Sequence, residues 1–331
     1  METRKVQVTG GSTYTVSIPK SWANENGIEA GSRVEFHPEG DSMLLSPRTA
    51  DDTIEGSFDI TGLEGANLTR TVFTLYVSGF DVISLETPRV SADQRRTIRD
   101  ATQGLVGLEV IEETGDRVVL QDLLDSSELS IHNAVTRIRL VALTMLEDAL
   151  TALKEDDDDL ANDVIERDDD VDRLWFMVSR VFRSALRNPS AAIDIGVPRE
   201  TCFDFHSSAR QLERIADHAA KIAHIALDLD EVPEEACDAL DELHADATEV
   251  VDMAMDALFE DDGDEATELA NDARERVREL DRQNRHVSDV VRELDAEQAQ
   301  LLRLVVDSLS RCADYGGNIA ETAMQKAAPH P

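Results

Sequence analysis

The sequence predicts a multidomain fold in three parts: a short strand-rich unit, a small α/β unit and an all-α region of tandem three-helix bundles. Three observations carry this. Apolar residues alternate with polar ones in short runs up to residue 48. Strand-like and helix-like segments then interleave over residues 53–122, and from Ser127 onward prolines fall only at 189, 198, 233, 329 and 331, in the gaps between long amphipathic segments and in the tail. Charge divides the chain in the same way: residues 1–48 hold 6 acids and 5 bases, 49–125 hold 15 and 6, and 126–331 hold 48 and 21. The expected domains are therefore 1–48, 49–125 and 126–331, the last in two repeats, 126–230 and 231–331.

In the first unit Val6 and Val8, Val16 and Ile18, and Val34 and Phe36 alternate as strands, and Met43 to Leu45 makes a last short one. Gly10-Gly11-Ser12 turns between the first two. Pro19 to Asn26 reads as a helical turn or two stopped by Gly27, with Trp22 as its expected core anchor. So few residues make a thin core, and dimerisation is the expected remedy.

The second unit reads as a strand near Ile54 to Ile60, a helix over Leu68 to Ser78, a strand at Asp81 to Leu85 and a helix over Asp93 to Gly104. A hairpin of Glu109 to Glu113 and Arg117 to Leu120 follows. Arg95, Arg96 and Arg99 give the second helix a basic face that suits acid from another domain as well as an anionic ligand. Beyond it come six helices, near 128–154, 158–187, 200–228, 234–259, 264–294 and 296–326. They repeat internally: Leu160-Ala161-Asn162-Asp163 recurs as Leu269-Ala270-Asn271-Asp272, and Leu212 to His218 aligns with Leu309 to Tyr315.

The chain has 331 residues and a formal net charge of −37, with 27 Arg but only 5 Lys. That excludes a basic nucleic-acid coat and a polybasic membrane anchor. Self-repulsion on this scale is screened in molar salt, so the composition predicts a halophile's cytoplasmic protein. No run of about 18 uncharged apolar residues occurs, and no membrane insertion is expected. Cys202, Cys237 and Cys312 form no CxxC pair and read as small buried apolar residues.

On a helix, Asp168 with Asp172 and Glu213 with Asp217 stand one turn apart on one face, where like charges repel unless a cation lies between them. Carboxylate sites suit hard cations such as Mg²⁺, Mn²⁺, Ca²⁺ or iron, although on a chain this acidic such a pair is often only a solvated face. In the second repeat Asp172 maps to Asp281 and Asp217 to Asp314, but Asp168 maps to Val277 and Glu213 to Ser310. A site there is expected to be weaker or absent. His206 and His218 lie close enough in sequence to be considered as ligands, and neither carries a ligand motif. No nucleophile with a base, and no general acid/base pair, stands out, so no enzyme is expected.

The motifs VIERDDDVDRL (164–174), LERIADHAAKIA (212–223) and SRCADYGGNIAE (310–321) resemble those of the PhoU phosphate-uptake regulators. The resemblance implies an often dimeric helical regulator that relays phosphate status from a phosphate transporter to gene expression. It also implies divalent or ferric ions (Mg, Mn, Fe or Zn) held by Asp168, Asp172, Glu213 and Asp217, with Asp281 and Asp314 as residual ligands. Residues 1–48, with Val16 to Lys20 followed by Gly27-Ile28-Glu29-Ala30-Gly31, are similar to the AbrB/SpoVT swapped-hairpin domain. That resemblance implies a homodimer through residues 1–48 that closes a small barrel and presents basic residues to DNA, here Arg4, Lys5, Lys20 and Arg33. The expected function is a transcriptional regulator of phosphate uptake. The alternative is an adaptor that never touches DNA and docks on a phosphate-transporter ATPase or a sensor kinase.

Overall fold

The computed structural model describes all residues except 1–2, 40–41, 48–52, 125–129, 189–190, 192, 194, 230–231, 293, 295 and 330–331. The side chains of 39, 281–286, 288–289, 292 and 297 also lie outside the described residues. The chain forms two compact units, Met1–Thr53 and Ile54–Pro331. Among the described residues no helix is long and apolar enough to cross a membrane.

In the first unit β1 (Gln7–Thr9) pairs antiparallel with β2 (Thr13–Thr15), setting Val8 opposite Tyr14. The reversal runs through Gly10 and Gly11, both in the left-handed region that glycine tolerates without strain. After α1 (Lys20–Glu25), β3 (Val34–Glu39) pairs antiparallel with β4 (Ser42–Pro47). Two expectations change here. The predicted strand at Val16 and Ile18 lies beyond β2, with no neighbouring strand among the described residues of this chain to continue its ladder. Trp22 is only half-buried and α1 buries nothing, so it anchors no core. Among the described residues of this unit only His37 is buried, its Nε2 within 2.9 Å of Ser46 Oγ. The described strands of this unit make two separate two-stranded sheets, the two hairpins that the resemblance expects a second copy to complete.

The second unit begins with a four-stranded sheet in the order β5-β6-β8-β7, built from β5 (Glu55–Asp59), β6 (Val82–Glu86), β7 (Leu108–Glu113) and β8 (Arg117–Asp122). β5 runs parallel to β6 because α2 (Gly65–Val77) makes the crossover, while the remaining pairings are antiparallel. α3 (Ala92–Gln103) starts in a Ser91/Gln94 capping box, and Gln94 Nε2 also donates to the Ile60 and Leu63 carbonyls, tying the helix to the end of β5. Leu68, Val72, Tyr76, Ile83, Leu85 and Ile98 make a core of this layer's own. The basic face of α3 is satisfied within the layer: Arg95 and Arg99 both bind Glu113 of β7, and Arg96 pairs with Asp93.

The remainder is helical: α4 (Ile131–Glu155), α5 (Asp158–Arg187), α6 (Arg199–Ala226), α7 (Glu234–Phe259), α8 (Gly263–Arg292) and α9 (Ala296–Ala327). Ser130 and Asp157 cap α4 and α5 by accepting from Asn133 and Leu160 N–H. The two three-helix bundles share one hydrophobic core and meet chiefly through α6 and α9. The duplication extends to their first helices: buried Val135, Ile138, Ala142 and Leu146 of α4 recur 105 residues later as Leu240, Leu243, Ala247 and Val251 of α7. Close approach of α9 to α7 depends on Gly316, where a β-carbon would stand 2.8 Å from Val250 Cγ1 and 3.1 Å from the Val251 backbone nitrogen.

The α/β layer joins the bundles through α5. Arg180 is buried there and donates to the carbonyls of Tyr76 (2.8 Å) and Phe80 (2.9 Å), while pairing with Asp81 (2.9 Å) and Asp122 (2.8 Å). Phe176 packs on Phe73 beside it, with ring centroids 4.8 Å apart.

Candidate metal centre and basic surface

α5 and α6 run antiparallel, so the one-turn spacing on each helix sets Asp168 and Asp172 beside Asp217 and Glu213. Glu213 is buried, Asp168 and Asp172 are half-buried and Asp217 is exposed. Burial, and then the Asp217 charge, push Asp168 and Asp172 up to about 6 and Glu213 up to about 7. Asp217, although its side chain reaches solvent, is also raised by partial desolvation against the helices, and Arg210 and Arg214 pull the other way.

The structure brings the four acids within electrostatic reach of one another. It does not bring them to joint ligand distance: among the described residues no three His, Cys, Asp or Glu side chains gather closely enough to hold a metal ion. Compensation comes from Arg210, which pairs with Glu213 and lies 5.4 Å over the Trp175 ring. Only one Glu213 oxygen is used; Oε2 is buried without a hydrogen-bond partner. A buried carboxyl oxygen left in that state is costly, and in its ionised form, with three carboxylates nearby, it suits a hard cation. Sequence reasoning did not single out Arg210, although its place one turn before Glu213 was a readable signal.

The second repeat is poorer. Ser310 Oγ donates to the Val306 carbonyl (2.7 Å) of its own helix, Asp314 lies 3.4 Å from Arg311, and Val277 is an apolar neighbour of Gly317. The side chain of Asp281 lies outside the described residues. The histidines do not join the acids. His206 stacks on Phe182 (4.5 Å) and lies tilted against Trp175 (4.7 Å), and burial, aided by Arg183 and Arg210, holds it down at about 4. His218 faces Tyr315 at 5.7 Å, with burial lowering its pKa. Cys202 and Cys312 are buried as expected, while Cys237 is only half-buried.

In the first unit Arg4, Lys5, Lys20 and Arg33 are all exposed. So are apolar side chains that a folded domain normally hides: Val8 at 64%, Tyr14 at 77%, Phe36 at 61% and Met43 at 62%.

Family models place these features. Residues 135–226 and 240–323 each match the PhoU domain, which together is more than half of the chain. The chain belongs to the PhoU family. Residues 7–52 match a second model, "Antidote-toxin recognition MazE, bacterial antitoxin", so this PhoU-family chain carries a MazE/AbrB-like domain at its front. Among solved structures, PhoU from Pseudomonas aeruginosa is similar at 22% identity and a TM-score of 0.51, over 60% of this chain and 96% of that one. The phosphate transport system regulatory protein PhoU from Streptococcus pneumoniae is similar at 21% identity and a TM-score of 0.46, over 58% and 91%. No curated protein matches the sequence. The PhoU bundles thus account for the chain from α4 onward.

Proposed function

We propose that the protein is a transcriptional regulator of phosphate uptake, a regulator and not a catalyst. Its PhoU bundles would sense metal and phosphate status, and its N-terminal unit would bind DNA as a homodimer. The observation that carries this reading is the union, in one chain, of PhoU bundles with a strand-rich unit whose basic and apolar side chains are both exposed. Pairing two copies would cover Val8, Tyr14, Phe36 and Met43 and extend the ladder past β2 to Val16 and Ile18. It would also set Arg4, Lys5, Lys20 and Arg33 of two chains at a spacing that a duplex can read.

On the bundles, Asp168, Asp172, Glu213 and Asp217 would hold a divalent or ferric ion, with Asp314 and Asp281 too few for a strong second site. The ion would add to the positive charge that Arg210 and Arg214 now supply. Because Asp168 and Asp172 sit on α5, the helix that Arg180 ties to the α/β layer, metal loading would bear on a joint between two packed bodies.

The deciding experiment is titration of promoter DNA from phosphate-uptake genes in graded KCl. Arg4→Ala with Lys5→Ala is expected to weaken binding on all sequences and to reduce the salt slope by about 0.9 per lost phosphate contact. An unchanged slope removes these residues from the DNA face. No affinity for any such promoter, together with capture of a transporter ATPase or sensor kinase, replaces this reading with the adaptor.

A further inference from the structure

α4 and α7 are equivalent by the internal duplication, and they lie antiparallel across the seam between the two bundles. At an offset of 105 Arg139 corresponds to His244, Glu147 to Asp252 and Thr151 to Asp256. One half of this seam is closed by a strong ionic bridge. Arg139 of α4 donates from Nε (2.9 Å) and Nη2 (2.6 Å) to Asp252 Oδ1 and from Nη1 (2.7 Å) to Asp256 Oδ1, both on α7.

The mirrored half lacks the arginine: its one ionic bridge among the described residues, Lys154 of α4 to Asp241 of α7, leaves Glu147 unmatched. His244 stands where the arginine would be and contacts Thr248 Oγ1 of its own helix at 3.3 Å. Burial holds it toward the neutral form; Lys154 acts in the same sense, while Glu147 and Asp241 oppose it. Lys154 is itself engaged by Asp241 at 2.7 Å. Glu147, the counterpart of Asp252, is exposed and makes no ion pair among the described residues. A cavity of about 290 Å³ opens at this place, between the Arg139–Asp252 bridge, Glu147 and His244. Its lip carries Leu140, 62% exposed, and the half-buried Leu143.

We infer that this seam is a docking site for a partner protein that inserts an arginine side chain toward Glu147 while the apolar face of its helix rests on Leu140 and Leu143. The chain supplies the template for that contact: Arg139 shows what the equivalent position binds when a guanidinium is present. The charge complementarity is specific to this half, because the other half's acids are already neutralised. The inference is independent of DNA binding and of the acids at Asp168 and Glu213.

The test uses the full chain and a short amphipathic helical peptide bearing one central arginine between leucines, compared with the same peptide carrying neutral, near-isosteric citrulline. Calorimetry is expected to show saturable one-to-one binding of the arginine peptide, weakened about tenfold or more by citrulline and by Glu147→Gln. His244→Arg fills the seam from within, and is expected to abolish peptide binding while raising the melting temperature. Equal binding of both peptides, survival of binding in Glu147→Gln or His244→Arg, or no saturable binding to the wild-type chain overturns the proposal.

Discussion

Two neighbouring glycines on α9 should respond to the same substitution with opposite signs. Replacing either Gly316 or Gly317 by alanine stabilises the helix itself by about 1 kcal/mol, because glycine loses more backbone freedom on folding. What differs is the space. A β-carbon at Gly316 would stand 2.8 Å from Val250 Cγ1 and 3.1 Å from both Cγ2 and the backbone nitrogen of Val251. Both valines are buried and β-branched, with little freedom at χ1, so α9 must move off α7. Overpacking of this kind costs about 2–3 kcal/mol, leaving Gly316→Ala about 1–2 kcal/mol less stable. At Gly317 the new atom meets only Val277 Cγ2, at 3.3 Å, on a half-buried side chain that can give a few tenths of an ångström. There the helical gain prevails, by about 0.5–1 kcal/mol. Thermal unfolding in molar KCl, where the charge of −37 is screened, reads the difference at about 2–4 °C per kcal/mol. Shifts of the same sign in both variants would refute the account of α9 packing on α7.

Arg180→Met leaves Asp122 and Asp81 without their cation and should cost about 3–5 kcal/mol in urea unfolding, against less than about 0.5 kcal/mol for Arg96→Met at an exposed pair; equal effects would show that the joint is not buried. Glu213 is raised from 4.5 to about 7, so its folded state keeps a proton that the unfolded chain releases, and stability present below pH 4.5 is lost as pH rises through 7. Glu213→Gln should flatten that decline in metal-free protein, and parallel pH profiles of the two proteins would deny the shift. Val8→Ser with Phe36→Ser should weaken self-association more than a hundredfold in sedimentation, since each large apolar side chain withdrawn from water is worth about 1.5–3 kcal/mol. An unchanged mass would remove these side chains from any interface.

Much of the architecture was legible because periodicity and proline placement are local signals. The helices expected over 158–187 and 234–259 are α5 and α7 as found, and the hairpin turn at Thr114-Gly115-Asp116 lies between β7 and β8. The one-turn spacing of Asp168 with Asp172 and of Glu213 with Asp217 also placed all four acids on facing helices. What stayed hidden depends on tertiary contact. An arginine within an amphipathic helix reads as surface, so nothing local marked Arg180 as a buried link between two cores. The half-buried state of Trp22 follows from a unit with almost no interior, which no single residue announces. The contrast between Arg139 and His244 emerges only once the duplication is laid onto α4 and α7.

The Arg180 joint also has a mechanical meaning. The hydrophobic effect is non-directional: it rewards the area removed from water and does not by itself set the angle at which two faces meet. A guanidinium held by two carbonyls and two carboxylates has fixed angles and does set it. The four-stranded sheet is therefore clamped to α5 like a vane to a shaft. A roll of α5 about its own axis swings the sheet through the same angle, and displacement grows with distance from the axis, so motion too small to matter at Asp172 becomes a visible sweep at the far edge strand. A joint of this geometry would convert torque in one helix into translation of a surface.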